Sequence, residues 1–176
     1  MTGMCLTLAI GLMMGADPCV SGVPVGKRPG PYSFLVATGP QRGQQTCYIC
    51  EQAEKPAVVV FARTLNEPLA KLLAAIDAEG MKKKETGFKV WLTQLTAKAD
   101  LNAIAKFGQT KGLKNVPMGA FEDVDGPPAY KLTAEADVTV LLFVKEKVVA
   151  NFAYRKGELS DDAVKAILAK MPDLWK

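Results

Sequence analysis

The chain has 176 residues, 49% of them hydrophobic and 23% charged, which suits one domain with its own core plus a leader or tail. Its formal charge of +4 is mild, and no basic stripe is interleaved with aromatics, so nucleic acid is not an expected partner. There is no histidine, which removes a c-type haem site, a Cys/His zinc finger, a Cys–His hydrolase and a Ser-His-Asp triad together.

Residues 1–16 form an apolar leader. Met4 to Ala16 (MCLTLAIGLMMGA) carries no charge until Asp17-Pro18 breaks it. The length suits a signal-peptide core and falls short of the ~20 residues that a membrane span needs. No basic segment precedes it, and the alternative is a buried N-terminal helix. Export is the expectation, with a periplasmic or secreted mature chain that lacks a membrane span. Cleavage near Ala16 would leave Cys19, Cys47 and Cys50. Cys19 follows Asp17-Pro18, which is wrong for lipid attachment, and a free or intermolecular thiol is the other reading.

Residues 17–31 (DPCVSGVPVGKRPGP) are rich in Gly and Pro and read as an extended lead-in to a domain over 32–176. Tyr32 to Thr38 is a short strand candidate. A loop rich in Gly and Gln then delivers Cys47-Tyr48-Ile49-Cys50. Ala57 to Ala62 (AVVVFA) is a strand buried on both faces, as in a parallel sheet. Asn66 caps a helix whose Leu69, Leu72, Leu73 and Ile76 share a face, with Gly80 as its end. The run Lys82-Lys83-Lys84 reads as a solvated loop tip. Phe88 to Leu92 is the next strand, and Asp100 caps a helix presenting Leu101, Ile104, Ala105 and Phe107. Leu113 to Leu132 reads as irregular. Val138 to Val144 turns through Lys145-Glu146-Lys147 into Val148 to Phe152 as a hairpin. Ser160 opens a last helix with Val164, Ile167 and Leu168 on one face.

The order β-β-α-β-α-β-β-α indicates a three-layer α/β/α domain with a mixed central sheet. No cofactor is implied. Gly39-Pro40-Gln41-Arg42-Gly43 lacks the Lys-Ser/Thr ending of a phosphate loop. Glu122-Asp123-Val124-Asp125-Gly126 reads as a solvated acidic turn, because Phe121 and Leu132 stand where calcium needs oxygen ligands. Trp91, Tyr154 and Trp175 read as core or edge aromatics.

That element order, with a C-x-x-C and a terminal strand-turn-strand-helix, resembles the thioredoxin-like superfamily. Val138 to Val149 is similar to its last hairpin and Gly157 to Leu168 to its closing helix. Val25 to Tyr32 is similar to the lead-in of the peroxiredoxin and periplasmic thiol-reductase branch. The resemblance covers residues 25–170 and implies a thioredoxin fold. In thioredoxins the C-x-x-C follows the central strand; here it precedes Ala57–Ala62, and Arg63-Thr64-Leu65-Asn66-Glu67 fills the usual place. The family's cis-proline would fall near Asp137-Val138, and neither is proline. No cysteine stands at the peroxidatic position, so peroxidase chemistry is not expected.

For Cys47 and Cys50 three readings stay open. As a displaced redox pair they would exchange with protein thiols and disulfides, since a two-residue spacer closes a small, exchangeable ring. The resemblance implies Cys47 as nucleophile. Lys55 and Arg42 would favour a thiolate and Glu51 would oppose it. As a structural pair they would pin a loop of a non-catalytic scaffold that binds a protein partner. As metal ligands, two thiolates are too few for zinc; Cys19 or a partner chain would supply the rest, or the ion would be two-coordinate copper(I).

Overall fold

The computed structural model describes residues 17–176, so the apolar leader and its signal-peptide reading lie outside the described residues. In chain order the elements are β1 (Phe34–Val36), β2 (Gln45–Thr46), α1 (Tyr48–Gln52), β3 (Ala57–Ala62), α2 (Glu67–Met81), β4 (Lys89–Leu95), α3 (Leu101–Thr110), β5 (Met118–Phe121), β6 (Val138–Val144), β7 (Lys147–Tyr154) and α4 (Asp161–Leu168). Single 3-10 turns occupy Lys84–Thr86, Pro128–Tyr130 and Met171–Trp175. The seven strands form one sheet in the order β2-β1-β5-β4-β3-β6-β7. β3 runs parallel to β4 and antiparallel to β6, and β4 runs parallel to β5, which makes the sheet mixed as expected.

Chirality decides what covers each face. The crossovers β3-α2-β4 and β4-α3-β5 step across the sheet in the same direction. Right-handed connections therefore put both helices on one side. The core agrees. Val58, Val60, Leu92 and Met118 pack with Leu69, Leu72, Leu73 and Ile76 of α2, Ile104 of α3 and Ile167 of α4. Alternate residues of β3 and β4, Ala57, Val59, Phe61 and Trp91, point the other way, as does Phe143 of β6. They meet Val23 of the lead-in, Tyr32, Tyr48 of α1 and Tyr130. The second layer is thus built mainly from extended chain and short turns. The lead-in is tied down there, with Asn151 Nδ2 donating to the Ser21 and Val23 carbonyls and the Thr139 hydroxyl 2.8 Å from that of Ser21.

The helix starts are where the sequence puts them. Asn66 Oδ1 accepts the Leu69 N–H at 3.0 Å, Asp100 Oδ1 that of Ala103 at 2.9 Å, and Ser160 Oγ that of Ala163 at 3.2 Å. The hairpin turns through Lys145 and Glu146, both at positive φ (51° and 59°), as a two-residue hairpin of this twist requires. Two expectations are corrected. Gly80 does not end α2, which continues to Met81. The Phe88 ring packs on Gly80 so closely that a Cβ would lie 2.1 Å from it. The segment Leu113 to Leu132 is not irregular throughout, because it contains β5.

Trp91 and Tyr32 form the polar centre of the second layer. The Trp91 indole N–H donates to Tyr32 Oη at 2.9 Å, and that hydroxyl lies 2.7 Å from Thr93 Oγ1. Burial pushes the Tyr32 phenol well above the usual tyrosine range, with the two hydrogen bonds acting the other way.

Candidate functional site around Cys47 and Cys50

A helix of five residues does not hold its own shape in water, so α1 must be held by packing. Two side chains one turn apart do this. Tyr48 is 4% exposed and meets the Phe34 and Trp91 rings edge-on, with centroids 5.2 and 5.7 Å away. Its hydroxyl donates to Gln41 Oε1 at 2.9 Å, and Lys89 Nζ stands 4.3 Å from its ring centre. One turn on, buried Gln52 donates from Nε2 to the Pro56 and Gly87 carbonyls, both at 3.1 Å. With Tyr48 and Gln52 facing in, Cys50 faces out.

Cys47 and Cys50 are joined in a disulfide with Cα atoms 5.3 Å apart. Cys47 is the N-cap of α1, and its Sγ accepts the Cys50 N–H at 3.2 Å. The two residues differ in exposure: Cys50 is exposed, Cys47 partly buried. Cys50 also lines a cleft of about 530 Å³. Pro29-Gly30-Pro31 contribute to this cleft from the lead-in, and Ile49, Cys50 and Ala53 from α1 and its end. Phe143 and the ion-paired Arg28 and Glu146 complete it. The Gly30 carbonyl accepts the Tyr130 hydroxyl at 2.7 Å, which fixes the proline-rich segment.

The charges differ from those expected. Arg42 is turned away and bonds Asn102 at the start of α3. Glu51 is met by Lys89 Nζ at 3.1 Å and Gln41 Nε2 at 3.3 Å, so its charge is answered by a β4 lysine. The Lys55 stem lies beside Gly87.

The disulfide sits at the amino end of β3, beside the β6–β7 turn; Lys145 N–H donates to the Glu54 carbonyl at 2.9 Å. The carboxyl end of β3 leads into α2 and is occupied otherwise. Arg63 Nε donates to the Ala136 carbonyl at 2.9 Å and Nη2 to that of Thr133 at 3.0 Å, with Nη1 on that of Val124. Asn66 is used as the α2 cap, and Glu67 pairs with Lys111. Arg63 thus ties the β5–β6 connection across the place where a thioredoxin carries its cysteines.

Cys19 lies beside Asn151 to Arg155, at the end of β7 away from the turn that borders Cys50. Burial pushes its thiol up, partly offset by Arg155. The three thiols considered as metal ligands are therefore not gathered. Among the described residues no group of three or more His, Cys, Asp and Glu side chains is placed to hold an ion. No helix of the described residues is long and apolar enough to cross a membrane. Phe143, Gly30 and Glu146 were not legible as site residues, since they come from segments far from the cysteines in sequence.

No protein-family model and no curated protein matches the chain. Solved structures do. A protein of Chlorobium tepidum assigned as thiol:disulfide interchange protein DsbE superposes with a TM-score of 0.61 at 17% identity, covering 84% of this chain and 98% of its own. A thiol-disulfide oxidoreductase of Bacteroides fragilis gives 0.55 at 14%, over 80% and 99% of the two chains. A thiol peroxidase of Chromobacterium violaceum gives 0.57 at 12%, over 92% and 95%. What these proteins share with the chain is the thioredoxin-like fold.

Proposed function

We propose that this thioredoxin-fold chain carries out thiol–disulfide exchange through Cys47 and Cys50, with protein thiols or disulfides as substrates. The observation that carries the reading is the division of labour on α1. Tyr48 and Gln52 fasten the helix, so the disulfide is not needed to hold it, while exposed Cys50 opens onto a cleft. The thiol–disulfide proteins among the structural neighbours support the same chemistry. In the exchange a thiolate attacks one sulfur of the disulfide and the other leaves as thiolate. A second thiolate then displaces the first link, so two electrons pass for each disulfide exchanged.

Export belongs to the same proposal. A leader over residues 1–16, a lead-in over 17–31 and a domain over 32–176 would place the mature chain in the periplasm or outside the cell, where the disulfide persists. A scaffold with a structural disulfide is the rival, and one observation favours it: Arg63 and its carbonyl partners close the usual redox position.

Insulin reduction by dithiothreitol tests between them. The wild-type protein is expected to accelerate insulin precipitation, and Cys47→Ser or Cys50→Ser to return it to the rate of dithiothreitol alone. Circular dichroism should stay unchanged in both variants, because α1 is held elsewhere. A wild-type rate equal to that of dithiothreitol alone would favour the scaffold.

A further inference from the structure

We infer that exchange enters through Cys50 and that Cys47 is the leaving and resolving sulfur, the reverse of the order implied by resemblance to thioredoxins. The inference rests on the exchange reading above and assigns the two roles within it. Access and hydrogen bonding point the same way. Cys50 is exposed whereas Cys47 is partly buried. Cys50 lines the cleft beside Pro29-Gly30-Pro31 and Phe143, and Cys47 does not. The Cys50 N–H is directed at Cys47 Sγ at 3.2 Å, so charge that develops on Cys47 meets a donor already in place.

The steps balance. A partner thiolate in the cleft attacks Cys50 Sγ along the line of the Cys47–Cys50 bond. The partner–Cys50 bond forms, the Cys47–Cys50 bond breaks, and its electron pair leaves on Cys47 Sγ. A better stabilised leaving sulfur departs faster. A second partner thiolate then attacks the partner sulfur, releasing Cys50 as thiolate and the partner as a disulfide. The protein gains the two electrons that the partner dithiol loses. In the opposite direction Cys50 attacks the partner disulfide, and the Cys47 thiolate resolves the mixed disulfide by attacking Cys50 Sγ. In both directions the covalent intermediate is held by Cys50.

Reduced glutathione is the probe. The oxidised wild-type protein is mixed with it, free thiols are trapped with N-ethylmaleimide, and the adduct is located by tandem mass spectrometry. Glutathione is expected on Cys50 and maleimide on Cys47. With the single-cysteine variants and oxidised glutathione, Cys47→Ser should form its adduct about tenfold or more faster than Cys50→Ser, in line with the difference in access. Insulin turnover with glutathione on Cys47 would overturn the role assignment while leaving exchange intact. No adduct on either cysteine, together with no insulin turnover, would overturn both. The wild-type adduct experiment stands even if a variant folds poorly.

Discussion

Tyr48→Ala is expected to destabilise the protein by about 3 kcal/mol and to release α1 from the sheet. The ring is nearly fully buried, and it bridges Phe34 of β1 and Trp91 of β4. Truncation removes both edge-on contacts and leaves a cavity that Phe34 and Trp91 are held too firmly to fill. A helix this short has no propensity reserve to replace the lost packing. The functional consequence follows because Tyr48 stands between the two cysteines in the sequence and anchors the helix that carries Cys50. Without the anchor, the cleft wall formed by Ile49, Cys50 and Ala53 is lost along with the hydrogen bond onto Cys47 Sγ. Urea unfolding followed by tryptophan emission measures the stability change. Tyr48→Phe is the contrast, since it keeps the ring and gives up only the bond to Gln41, worth about 1 kcal/mol. A loss below about 1 kcal/mol for Tyr48→Ala would mean that packing does not hold α1.

Gly119→Ala is expected to cost about 3 kcal/mol or more, at the severe end for a single added methyl. A Cβ at this position in β5 would stand 2.3 Å from the Leu35 carbonyl oxygen and 2.6 Å from two carbons of the Phe34 ring. Backbone cannot move aside as a flexible side chain can. β1 would have to separate from β5, giving up the pairing of Val36 with Gly119 and of Leu35 with Ala120. Phe34 would be pushed towards Tyr48, so the damage would reach the disulfide helix. A lowered urea midpoint with an unchanged slope is the expected result. A midpoint equal to that of the wild type would show that β1 is held more loosely than the contacts imply.

Much of this architecture was legible because its signals are local. Asn66, Asp100 and Ser160 each cap the helix that follows by accepting the N–H three residues on, and the apolar runs of β3 and β6 mark strands buried on both faces. What escaped the sequence depends on distant partners. Nothing near Tyr48 announces that Phe34 and Trp91 will receive it, so α1 was hidden inside a loop. β5 is four residues long and contains a glycine whose purpose is set by Leu35 and Phe34. Gly80 read as a helix stop because the Phe88 ring that requires it lies in the next element. The pair Cys47 and Cys50 was visible at once, but its surroundings were not. The residues around Cys50 come from the lead-in, α1 and the β6–β7 hairpin, and only the fold brings them to one end of the sheet. Glu51, which the sequence alone sets against a thiolate, is paired with Lys89, which reaches it from β4.

The position of the pair has a physical consequence. At the carboxyl end of β3 a thioredoxin disulfide would cap the long helix α2, but here Arg63 and Asn66 use that end for tertiary bonding and capping. At the amino end the cysteines rely instead on a short helix clamped by an aromatic side chain. Whether this second end supports exchange is the central question, and the reduction potential of the Cys47–Cys50 couple answers it most directly. Equilibration in glutathione buffers, followed by alkylation and mass spectrometry, should give a value between about −120 and −270 mV, within the span of working oxidoreductases. A value below about −300 mV would mark a cross-link that glutathione does not open, and would contradict the exchange account.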